Sequence, residues 1–419
     1  MKYKTLKGLQ DILPPEIRAW QHIEATARDI FRAYGYQEIR LPILESTDIF
    51  IRSIGETSDI VEKEMYTFQD KGGRSVTLRP EGTASFVRAY VEHHLHNNPA
   101  PQKFYYMGPM FRYERPQAYR YRQFYQIGAE AMGIEDPRLD AEIISMLARI
   151  LHGIGLEGLN FELTSIGCKG CRPAYREALR DFLGDRLSSF CSDCQRRYEL
   201  NPLRILDCKV PECITARKGS PPVLHYLCAE CKTHFDSLKH NLDLLKVPHT
   251  VNPNLVRGLD YYTKTAFEVT SESLGSQKAV AAGGRYDGLV DEFGGPPTPG
   301  IGFAMGMERI IPLLKSSDTA SGPELFICPL NQEAAEKAFL IAEELRTRGL
   351  WVESNYESAS LKSQMRKANR ISAENVVVFG GDELKNKQVV IKNMIDKSEV
   401  SVNLVVDEFI KILRKIGSR

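Results

Sequence analysis

One stretch of twenty residues, 111–130, restricts the fold of this 419-residue chain more than any other part of the sequence. It holds four arginines and six aromatic side chains, a mixture that an ordinary hydrophobic core does not accept. The Pro116-Gln117-Ala118 break in its middle predicts a strand, a loop and a second strand. Because side chains alternate along a strand, Arg112 and Glu114 share one face of the first arm. Two interpretations stay open: an edge hairpin with solvated arginines, or one wall of an anion-binding site.

In the second arm of this hairpin, Gln126, Gly128 and Glu130 occupy alternate positions and therefore share one face of the strand. The residues between them point the other way: Tyr125, Ile127 and Ala129. We expect Gly128 to leave room for a ligand against the backbone, because a strand glycine often marks a close approach. Arginines opposite this face would suit a carboxylate or a phosphate, since the guanidinium fork matches both anions.

Composition and charge are those of an ordinary soluble protein. Hydrophobic residues make up 42% of the chain and charged residues 26%, which suits roughly two to four compact units. The net charge of +1 excludes a general polycation, so nucleic-acid binding would have to use local patches. The chain starts without an apolar signal segment, and no apolar run reaches about 18 residues. These features predict a cytoplasmic protein without a membrane partner.

The N-terminal part predicts a helix followed by a strand. Apolar residues recur at helical spacing from Ile17 to Ile30, and Gly35 would end the helix. The residues from Tyr36 to Pro42 then favour an extended strand.

The segment 75–95 predicts a strand that ends at Pro80, a tight turn, and a helix capped by Thr83 or Ser85. A capped helix after a glycine turn is common as structure alone. Glu81 in the turn could instead bind a ligand ammonium, because exposed turns of a rigid sheet are where sites are built.

A change in composition divides the rest of the chain. Residues 165–249 are cysteine-rich and helical in pattern, so we expect a domain inserted between 1–164 and 250–315. Residues 316–323 are mostly small and polar, which predicts a linker. Strand and helix patterns alternate over 324–419, which predicts a separate α/β domain with a parallel or mixed sheet.

Three glycine-bearing segments follow the insert: 256–268, 282–289 and 300–310. Glycines at alternate strand positions weaken a sheet unless something packs closely on it, so these segments predict a ligand cleft. The sequence has no glycine-rich phosphate loop, no His-Glu-x-x-His and no dinucleotide fingerprint. A bound nucleotide would therefore rely on arginines, for which Arg112, Arg257 and Arg309 are the candidates.

Eight of the nine cysteines fall between residues 168 and 231. They form four pairs: Cys168 and Cys171, Cys191 and Cys194, Cys208 and Cys213, and Cys228 and Cys231. Nineteen residues separate the first pair from the second, a spacing close to that of a zinc ribbon. Four thiolates can bind one structural Zn²⁺ tetrahedrally and eight could bind two. A helical insert with partly buried free thiols would give the same pattern.

Several of these segments closely resemble the signatures of the histidyl-tRNA synthetase family, in class II of the aminoacyl-tRNA synthetases. Tyr36–Pro42 looks like the first class-defining motif, the 111–130 hairpin like the second, and Gly300–Arg309 like the third. Two strings are similar to ones peculiar to the histidyl family: Arg79-Pro80-Glu81-Gly82-Thr83 and Arg257-Gly258-Leu259-Asp260-Tyr261-Tyr262. The resemblance runs from Lys7 to the C-terminus.

The resemblance implies an α+β catalytic domain with an antiparallel sheet, a mainly helical cysteine-rich insertion, and a C-terminal α/β anticodon-binding domain. It implies a homodimer with Pro42 near the interface. The reaction would be ATP-dependent activation of L-histidine, with Mg²⁺ beside the ATP, and transfer of the histidyl group to the 3′ end of tRNA(His). The insert would contact the tRNA acceptor arm, and the loop from Arg115 to Arg120 would lie where the tRNA end enters.

The resemblance also implies roles for individual residues. In the ATP site, Arg112 would contact the α-phosphate, and Phe124 and Arg309 would cover the two faces of the adenine. Arg309 would also contact the γ-phosphate, and Glu114 would be a further ATP-binding residue. The amino group of histidine would contact Glu81, Thr83 and Gln126. The imidazole would be bound by Glu130 and Tyr262, with Tyr261 lining the pocket. Arg257 and Arg112 would be catalytic, Arg257 by neutralising the carboxylate and α-phosphate as they combine.

Two rival functions share this fold. One is the regulatory paralogue of a short ATP phosphoribosyltransferase in histidine biosynthesis, which does not charge tRNA. It typically lacks the anticodon domain and the intact Arg257–Tyr262 string, and this sequence has both. The other is an inactive RNA-binding or kinase-attached sensor, against which the intact Arg112, Arg257 and Arg309 argue.

Overall fold

The computed structural model describes residues 3–55, 58–256, 258–275, 278–314, 322–357 and 359–417. The chain divides into two compact units, Met1–Lys315 and Ser316–Arg419, and each has its own hydrophobic core. Of the predicted linker, 316–321 lie outside the described residues. None of the helices in the described ranges combines the length and the apolar character that crossing a bilayer requires.

The first unit is built on a large sheet. Its strands, as far as the unit is described, are β1 (Gln37–Glu38), β2 (Leu44–Ser46), β3 (Tyr66–Gln69), β4 (Ser75–Leu78), β5 (Gln102–Phe111), β6 (Gln123–Met132), β7 (Asn160–Ser165), β8 (Thr250–Val251), β9 (Thr263–Thr270), β10 (Ala279–Arg285) and β11 (Gly300–Gly306). Eight of these described strands form one sheet in the order β1-β5-β6-β11-β10-β9-β7-β8. Its interior pairs are antiparallel, and its two outermost pairs are parallel. The expected antiparallel sheet is confirmed.

The remaining strands of this unit, β2, β4 and β3, pair antiparallel as a small second sheet. The helices described in the unit are α1 (Ile17–Ala33), α2 (Thr47–Ile54), α3 (Thr83–Glu92), α4 (Pro137–Gly153), α5 (Arg172–Gly184), α6 (Ser192–Leu200), α7 (Pro211–Ala216), α8 (Ala229–Leu244), α9 (Leu289–Glu292) and α10 (Met307–Ile310).

Helices α1, α4 and α8 bury their apolar faces in one core with the large sheet. Phe31 of α1, Leu147 of α4 and Leu238 of α8 are all fully buried there. Helix α4 starts as its sequence predicts, because Pro137 needs no backbone partner at the first position and Asp136 accepts from the Arg138 amide over 2.8 Å. The helical spacing of apolar residues from Ile17 to Ile30 therefore located α1, one of the helices that cover this sheet.

The strand expected from Tyr36 to Pro42 is shorter than predicted. Only β1 within it has ladder pairing, parallel to β5. The Arg79 guanidinium, which is almost fully buried, donates to the carbonyls of Leu41 over 2.9 Å and Pro42 over 3.4 Å. A side chain thus satisfies carbonyls that a longer strand would have paired with backbone.

The cysteine-rich segment lies between β7 and β8 of the same sheet and is mainly helical, as predicted. Its helices α5 to α7 surround a small core of their own, which includes Tyr175, Leu179 and Ile205. Helix α8 packs differently, because Phe235, Leu238 and Leu242 join the core of the large sheet. The insert is therefore anchored to the sheet through the helix that returns the chain to it.

The second unit is a five-stranded mixed sheet with helices. Its described elements are β12 (Leu325–Pro329), α11 (Gln332–Thr347), β13 (Val352–Ser354), α12 (Leu361–Arg370), β14 (Asn375–Phe379), α13 (Gly381–Asn386), β15 (Gln388–Asn393), β16 (Glu399–Asn403) and α14 (Val406–Gly417). The described strands run in the order β13-β12-β14-β15-β16, with β13, β12 and β14 parallel and the others antiparallel. The predicted α/β pattern is confirmed, while the sequence pattern did not reveal α13 or β16.

Candidate active site

A cavity of about 240 Å³ opens over the middle of the large sheet in the first unit. It is lined by the hairpin residues 112–121 that follow β5, by β6, the start of α3 and the segment 259–262, and by strands β9 to β11 with the following helix α10. Most of the predicted site residues line it: Glu81, Thr83, Arg112, Glu114, Phe124, Gln126, Tyr261, Tyr262 and Arg309. Arg257 lies outside the described residues. Residues far apart in sequence thus meet at one cavity.

The predicted alternation along β6 is correct. Ile127 and Ala129 are buried in the core under the sheet, whereas Gln126 faces the cavity. Gly128 does not leave room for a ligand as expected, because a Cβ there would lie 2.3 Å from the Tyr106 ring. The same ring would meet a Cβ at Gly82, over 2.2 Å. The two glycines therefore accommodate Tyr106, which lies between β6 and the turn before α3.

Glu130 sits at the buried end of this face and is fully inaccessible to solvent. Its Oε1 accepts from the Thr83 hydroxyl over 2.8 Å and from the Tyr106 hydroxyl over 3.2 Å. Its Oε2 accepts from the Tyr286 hydroxyl over 2.6 Å. Burial raises the pKa of Glu130 to about 8, although the hydroxyl donors oppose the shift. The carboxyl is thus positioned by three hydroxyls, with Thr83 between it and the cavity.

Glu81 caps helix α3, a role that the sequence analysis gave to Thr83 or Ser85. Its two carboxylate oxygens accept from the backbone amides of Thr83 and Ala84, each over 2.7 Å. The Thr83 hydroxyl is instead directed to Glu130. Burial raises the pKa of Glu81, while the two amides and nearby Arg112 oppose the shift. Capping keeps Glu81 rigid at the wall of the cavity, where its remaining lone pairs can accept from a ligand.

Three arginines lie near one another at one end of the cavity: Arg112, Arg120 and Arg309. Arg112 donates from Nε to the Pro80 carbonyl over 2.9 Å, and its guanidinium lies 5.3 Å from the centre of the Phe124 ring. Arg309 donates to the Ala279 carbonyl over 2.8 Å. Burial lowers the pKa of Arg309, and the like charges of Arg120 and Arg112 lower it further. Such mutual repulsion between buried cations favours binding of an anion with several charges.

Glu114 is the carboxylate at this end and is mostly buried. It pairs with Arg120 of the hairpin loop, and one of its oxygens lies 4.0 Å from Arg112 Nη1. Arg120 was noted in the sequence only as part of the loop where the resemblance places the tRNA end. In the structure it lines the cavity beside Tyr119 and Tyr121.

The segment 259–262 forms the third wall. Tyr261 and Tyr262 are nearly fully buried, and the Tyr261 ring contacts the Tyr286 ring edge-on at 5.9 Å. Asp260 pairs with Arg204 of the insert over 2.8 Å. These contacts connect the segment both to the Glu130 group and to the cysteine-rich insert.

Sequence reasoning missed three residues of this site: Tyr106, Tyr286 and Glu308. Tyr286 follows the glycines of 282–289 that had predicted a cleft, so its segment carried a signal. Glu308 accepts from the Tyr125 amide with both oxygens, at 3.0 and 3.1 Å, and thereby ties α10 to the second hairpin arm. Burial raises the pKa of Glu308 to about 7. Tyr106 gave no signal, since it is one of several aromatics in β5.

The eight cysteines of the insert form two groups, and the pairs are nested. Cys168, Cys171, Cys228 and Cys231 form an outer group, and Cys191, Cys194, Cys208 and Cys213 an inner one. The zinc-ribbon spacing had pointed instead to the first two pairs as partners. The chain returns through α8 to the place where it left the sheet, so the first and last pairs meet. Within each group all four sulfur atoms lie within 4.8 Å of one another, a geometry that could bind a metal ion.

Comparisons with known proteins agree with this architecture. A family model described as histidyl-tRNA synthetase matches residues 8–180 and 215–310, and one described as anticodon binding domain matches 324–416. A histidine–tRNA ligase from Thermodesulfovibrio yellowstonii is 51% identical over 417 residues, covering 99% of each chain. The crystal structure of apo histidyl-tRNA synthetase from S. aureus has a TM-score of 0.80 at 38% identity and covers 98% of this chain and 100% of that one.

A Bacillus halodurans structure described as an ATP phosphoribosyltransferase regulatory subunit/histidyl-tRNA synthetase is also similar. Its TM-score is 0.67 at 20% identity, covering 90% of this chain and 98% of that one, so the likeness is one of fold alone. The fold is that of a class II aminoacyl-tRNA synthetase. Within that class, the chain belongs to the histidyl-tRNA synthetase family.

Proposed function

We propose that the protein is a histidine–tRNA ligase that activates L-histidine with ATP and transfers it to the 3′ end of tRNA(His). The observation that carries this proposal is one cavity lined by two chemically different groups of residues, which we assign to two ends. Arg112, Arg309 and the Phe124 ring form a cationic end suited to a nucleotide. The other end contains Gln126, Thr83 and the buried carboxyls, and suits a small polar amino acid.

The amino-acid end would bind histidine through its two nitrogen-bearing groups. The amide oxygen of Gln126 is buried and has no hydrogen-bond partner within the described part of the chain, so it can accept from the ligand ammonium. Glu81 and Thr83 lie beside it and complete the proposed ammonium site. Glu130 and Tyr262 would bind the imidazole, and Tyr261 would pack against it. A site with buried polar groups rejects side chains that cannot pair with them, which supports specificity for histidine.

The nucleotide end would bind ATP. Phe124 and Arg309 would enclose the adenine, Arg112 would contact the α-phosphate and Arg309 the γ-phosphate. Mg²⁺ would accompany the ATP as part of the substrate. The carboxylates of Glu114 and Glu268 line the same cavity and offer the oxygen ligands that Mg²⁺ prefers.

The reaction would proceed in two displacements. A carboxylate oxygen of histidine attacks the α-phosphorus, and the bond from that phosphorus to the bridging oxygen breaks. Pyrophosphate is the leaving group, and histidyl-adenylate is the product. A hydroxyl of the terminal tRNA ribose then attacks the histidyl carbonyl, loses its proton and displaces AMP. Arginine stays protonated and cannot act as the base, so Arg112 and Arg257 would stabilise charge on the phosphoryl group. For Arg257 this proposal rests on the sequence resemblance.

The same proposal covers the rest of the chain. Residues 1–164 and 250–315 would form the catalytic domain, 165–249 the insert that contacts the acceptor arm, and 324–419 the anticodon-binding domain after the linker at 316–323. Structural zinc would be bound by the eight cysteines of the insert, which the two groups of sulfur atoms support. Because the proposed reaction charges tRNA, we propose that the protein acts in the cytoplasm.

We also propose a homodimer. Ile43 and Leu44 follow Pro42 directly and are 41% and 48% exposed, which leaves apolar side chains available for a second copy. Multi-angle light scattering should give twice the mass of one chain, and Leu44→Lys should shift it toward the monomer.

Histidine-dependent exchange of pyrophosphate into ATP, followed by charging of tRNA(His), tests the main proposal. A ligase shows both activities. The regulatory paralogue would show neither, and an inactive sensor would bind RNA without exchange.

A further inference from the structure

The two cysteine groups of the insert have the geometry of metal sites. In the outer group the sulfurs of Cys168 and Cys171 are 3.7 Å apart, and in the inner group those of Cys191 and Cys208 are 4.0 Å apart. Disulfide sulfurs lie about 2.05 Å apart, so these are separate thiols. With Zn–S bonds of about 2.3 Å, a tetrahedron has S···S edges of about 3.8 Å. The observed separations therefore leave each centre ready for one ion.

Backbone amides also point at the sulfurs. The Cys228 amide donates to Cys171 Sγ in the outer group, and the Cys191 amide donates to Cys213 Sγ in the inner group, each over 3.2 Å. Such donors stabilise thiolates, the form of cysteine that binds metal. Four sulfur ligands without an open position match a structural zinc site.

The outer group is joined to the substrate cavity by one residue. Arg172 follows Cys171 directly and opens helix α5, and its guanidinium donates to the backbone carbonyl of Tyr262. Thr263, which follows Tyr262 directly, is the first residue of strand β9. An ion at the outer group would therefore fix the arginine that holds the backbone of the proposed imidazole-binding tyrosine.

The inner group is joined to the same segment independently. Arg204 lies between Cys194 and Cys208 and is almost fully buried. It pairs with Asp260 over 2.8 Å, and Asn201 donates to the same oxygen over 3.4 Å. Asp260 is held from the other side as well, since its amide donates to the Ile54 carbonyl over 3.3 Å.

We propose that two Zn²⁺ ions, one in each cysteine group, hold segment 259–262 in its histidine-binding shape through Arg172 and Arg204. This inference rests on the proposed function and adds to it a metal requirement for amino-acid recognition. The small core of the insert includes Cys194, Cys208 and Cys213 themselves, so an ion bound by these cysteines would stabilise the core around the two arginines. Both contacts reach the histidine end of the cavity, so the metal acts on histidine rather than on ATP.

The test measures zinc content and two Michaelis constants on the full-length protein. We expect two zinc ions per chain in the wild type, and one after Cys168→Ser with Cys171→Ser or after Cys191→Ser with Cys194→Ser. Cys328→Ser is the matched control, because Cys328 is buried in the second unit and belongs to neither group; it should retain two ions.

Variants of Arg172 and Arg204 test the contacts with segment 259–262 while leaving the metal-binding cysteines in place. Arg172→Ala and Arg204→Ala should keep both ions and raise KM for histidine roughly tenfold in pyrophosphate exchange, with KM for ATP changed less than about twofold. Arg204→Lys should recover part of the loss, since it keeps the charge opposite Asp260. Arg186→Ala is the control within the insert, because Arg186 lies just after α5 and its side chain contacts Phe182 of that helix.

A wild-type protein with normal exchange activity and no zinc, or with iron in its place, would overturn the inference. So would arginine variants that leave both Michaelis constants unchanged or raise both equally. Failure of the proposed function is distinguishable, since a wild type that binds two zinc ions without histidine-dependent exchange contradicts that function and not the metal sites.

Discussion

The hydroxyl of Tyr286 donates to Glu130 Oε2 over 2.6 Å, at a carboxyl that solvent does not reach. Removing this donor should weaken the proposed imidazole site without touching the nucleotide end. We expect Tyr286→Phe to raise KM for histidine roughly tenfold, because losing one buried hydrogen bond costs about 1.4 kcal/mol, with KM for ATP nearly unchanged. Pyrophosphate exchange measures both constants. Tyr356→Phe, at an exposed tyrosine of the second unit, is the control, and a matching loss there would contradict the assignment.

Histidine binding should depend on pH through Glu130. Because the pKa of Glu130 is raised to about 8, its carboxyl keeps its proton at pH 7 when no histidine is bound. The imidazole of free histidine has a pKa of about 6.5 and has lost its proton at that pH. A bound pair that shares one proton forms readily between these values. Above pH 8 a proton must be taken up on binding, and below 6.5 one must be released. Affinity should therefore fall on both sides of this window.

The check is a series of titrations of wild type and Glu130→Gln with histidine from pH 6 to 9. The variant should bind histidine more weakly and lack the alkaline decline that belongs to Glu130, while keeping any decline that belongs to the ligand ammonium. ATP binding should survive the substitution. Parallel pH profiles for the two proteins would show that Glu130 is not the titrating group.

The crowded arginines predict a selective loss of nucleotide binding. Arg309→Ala removes a cation that Arg112 and Arg120 repel and that the phosphates of ATP would attract. We expect KM for ATP to rise at least tenfold and the histidine Kd to stay within about twofold. The Arg309 variant should also lose sensitivity to inhibition by added pyrophosphate. Equal losses for both substrates would argue that Arg309 supports the fold instead.

Arg257 is expected to act on the reaction more than on binding. Arg257→His should lower the rate of adenylate formation in single turnover far more than it weakens histidine binding, because a guanidinium is needed where charge develops. Arg32→His, at an exposed arginine of the first unit, is a control. A defect confined to histidine affinity would remove the catalytic role.

The stability of the large sheet should depend on a buried ion pair behind the site. Arg285 and Asp140 are both fully buried and 2.7 Å apart, and Asp140 also accepts from the Thr265 hydroxyl over 2.6 Å. Asp140→Asn removes the fully buried counter-charge of Arg285, which then keeps its pairing with Asp287 over 3.1 Å, and this should cost about 3 kcal/mol. Urea unfolding measures the loss. Glu24→Gln, at the exposed pair with Arg28, should leave the midpoint unchanged within error.

Local patterns in the sequence located much of this structure. The apolar spacing of α1 and α4, the proline start of α4 and the alternation of β6 depend on neighbouring residues, so the sequence alone predicts them. The cap on α3 was assigned to the wrong residue, because Glu81 competes with Thr83 and Ser85 for the same amides. The space beside Gly128 is filled by Tyr106 on the neighbouring strand, a contact set by strand pairing that no local pattern records.

Longer-range relationships were harder to predict. The strand after Tyr36 stops early because Arg79, distant in sequence, occupies its carbonyls. The cysteine pairs were expected to combine by spacing, whereas the path of the chain through α8 brings the first and last together. The family motifs identified most of the residues that line the cavity. The hydrogen bonds that Tyr106 and Tyr286 donate to Glu130 became visible only in the structure.

The nesting of the cysteine groups has a consequence for how such a chain can vary. The outer group brings the entry and exit of the insert together, so the length of chain between them does not alter the spacing of β7 and α8. The family model matches residues 8–180 and 215–310, and all four cysteines of the inner group fall in the stretch between these ranges. We expect that stretch to tolerate changes of length while the sheet below it keeps its register, as long as Arg204 still reaches Asp260.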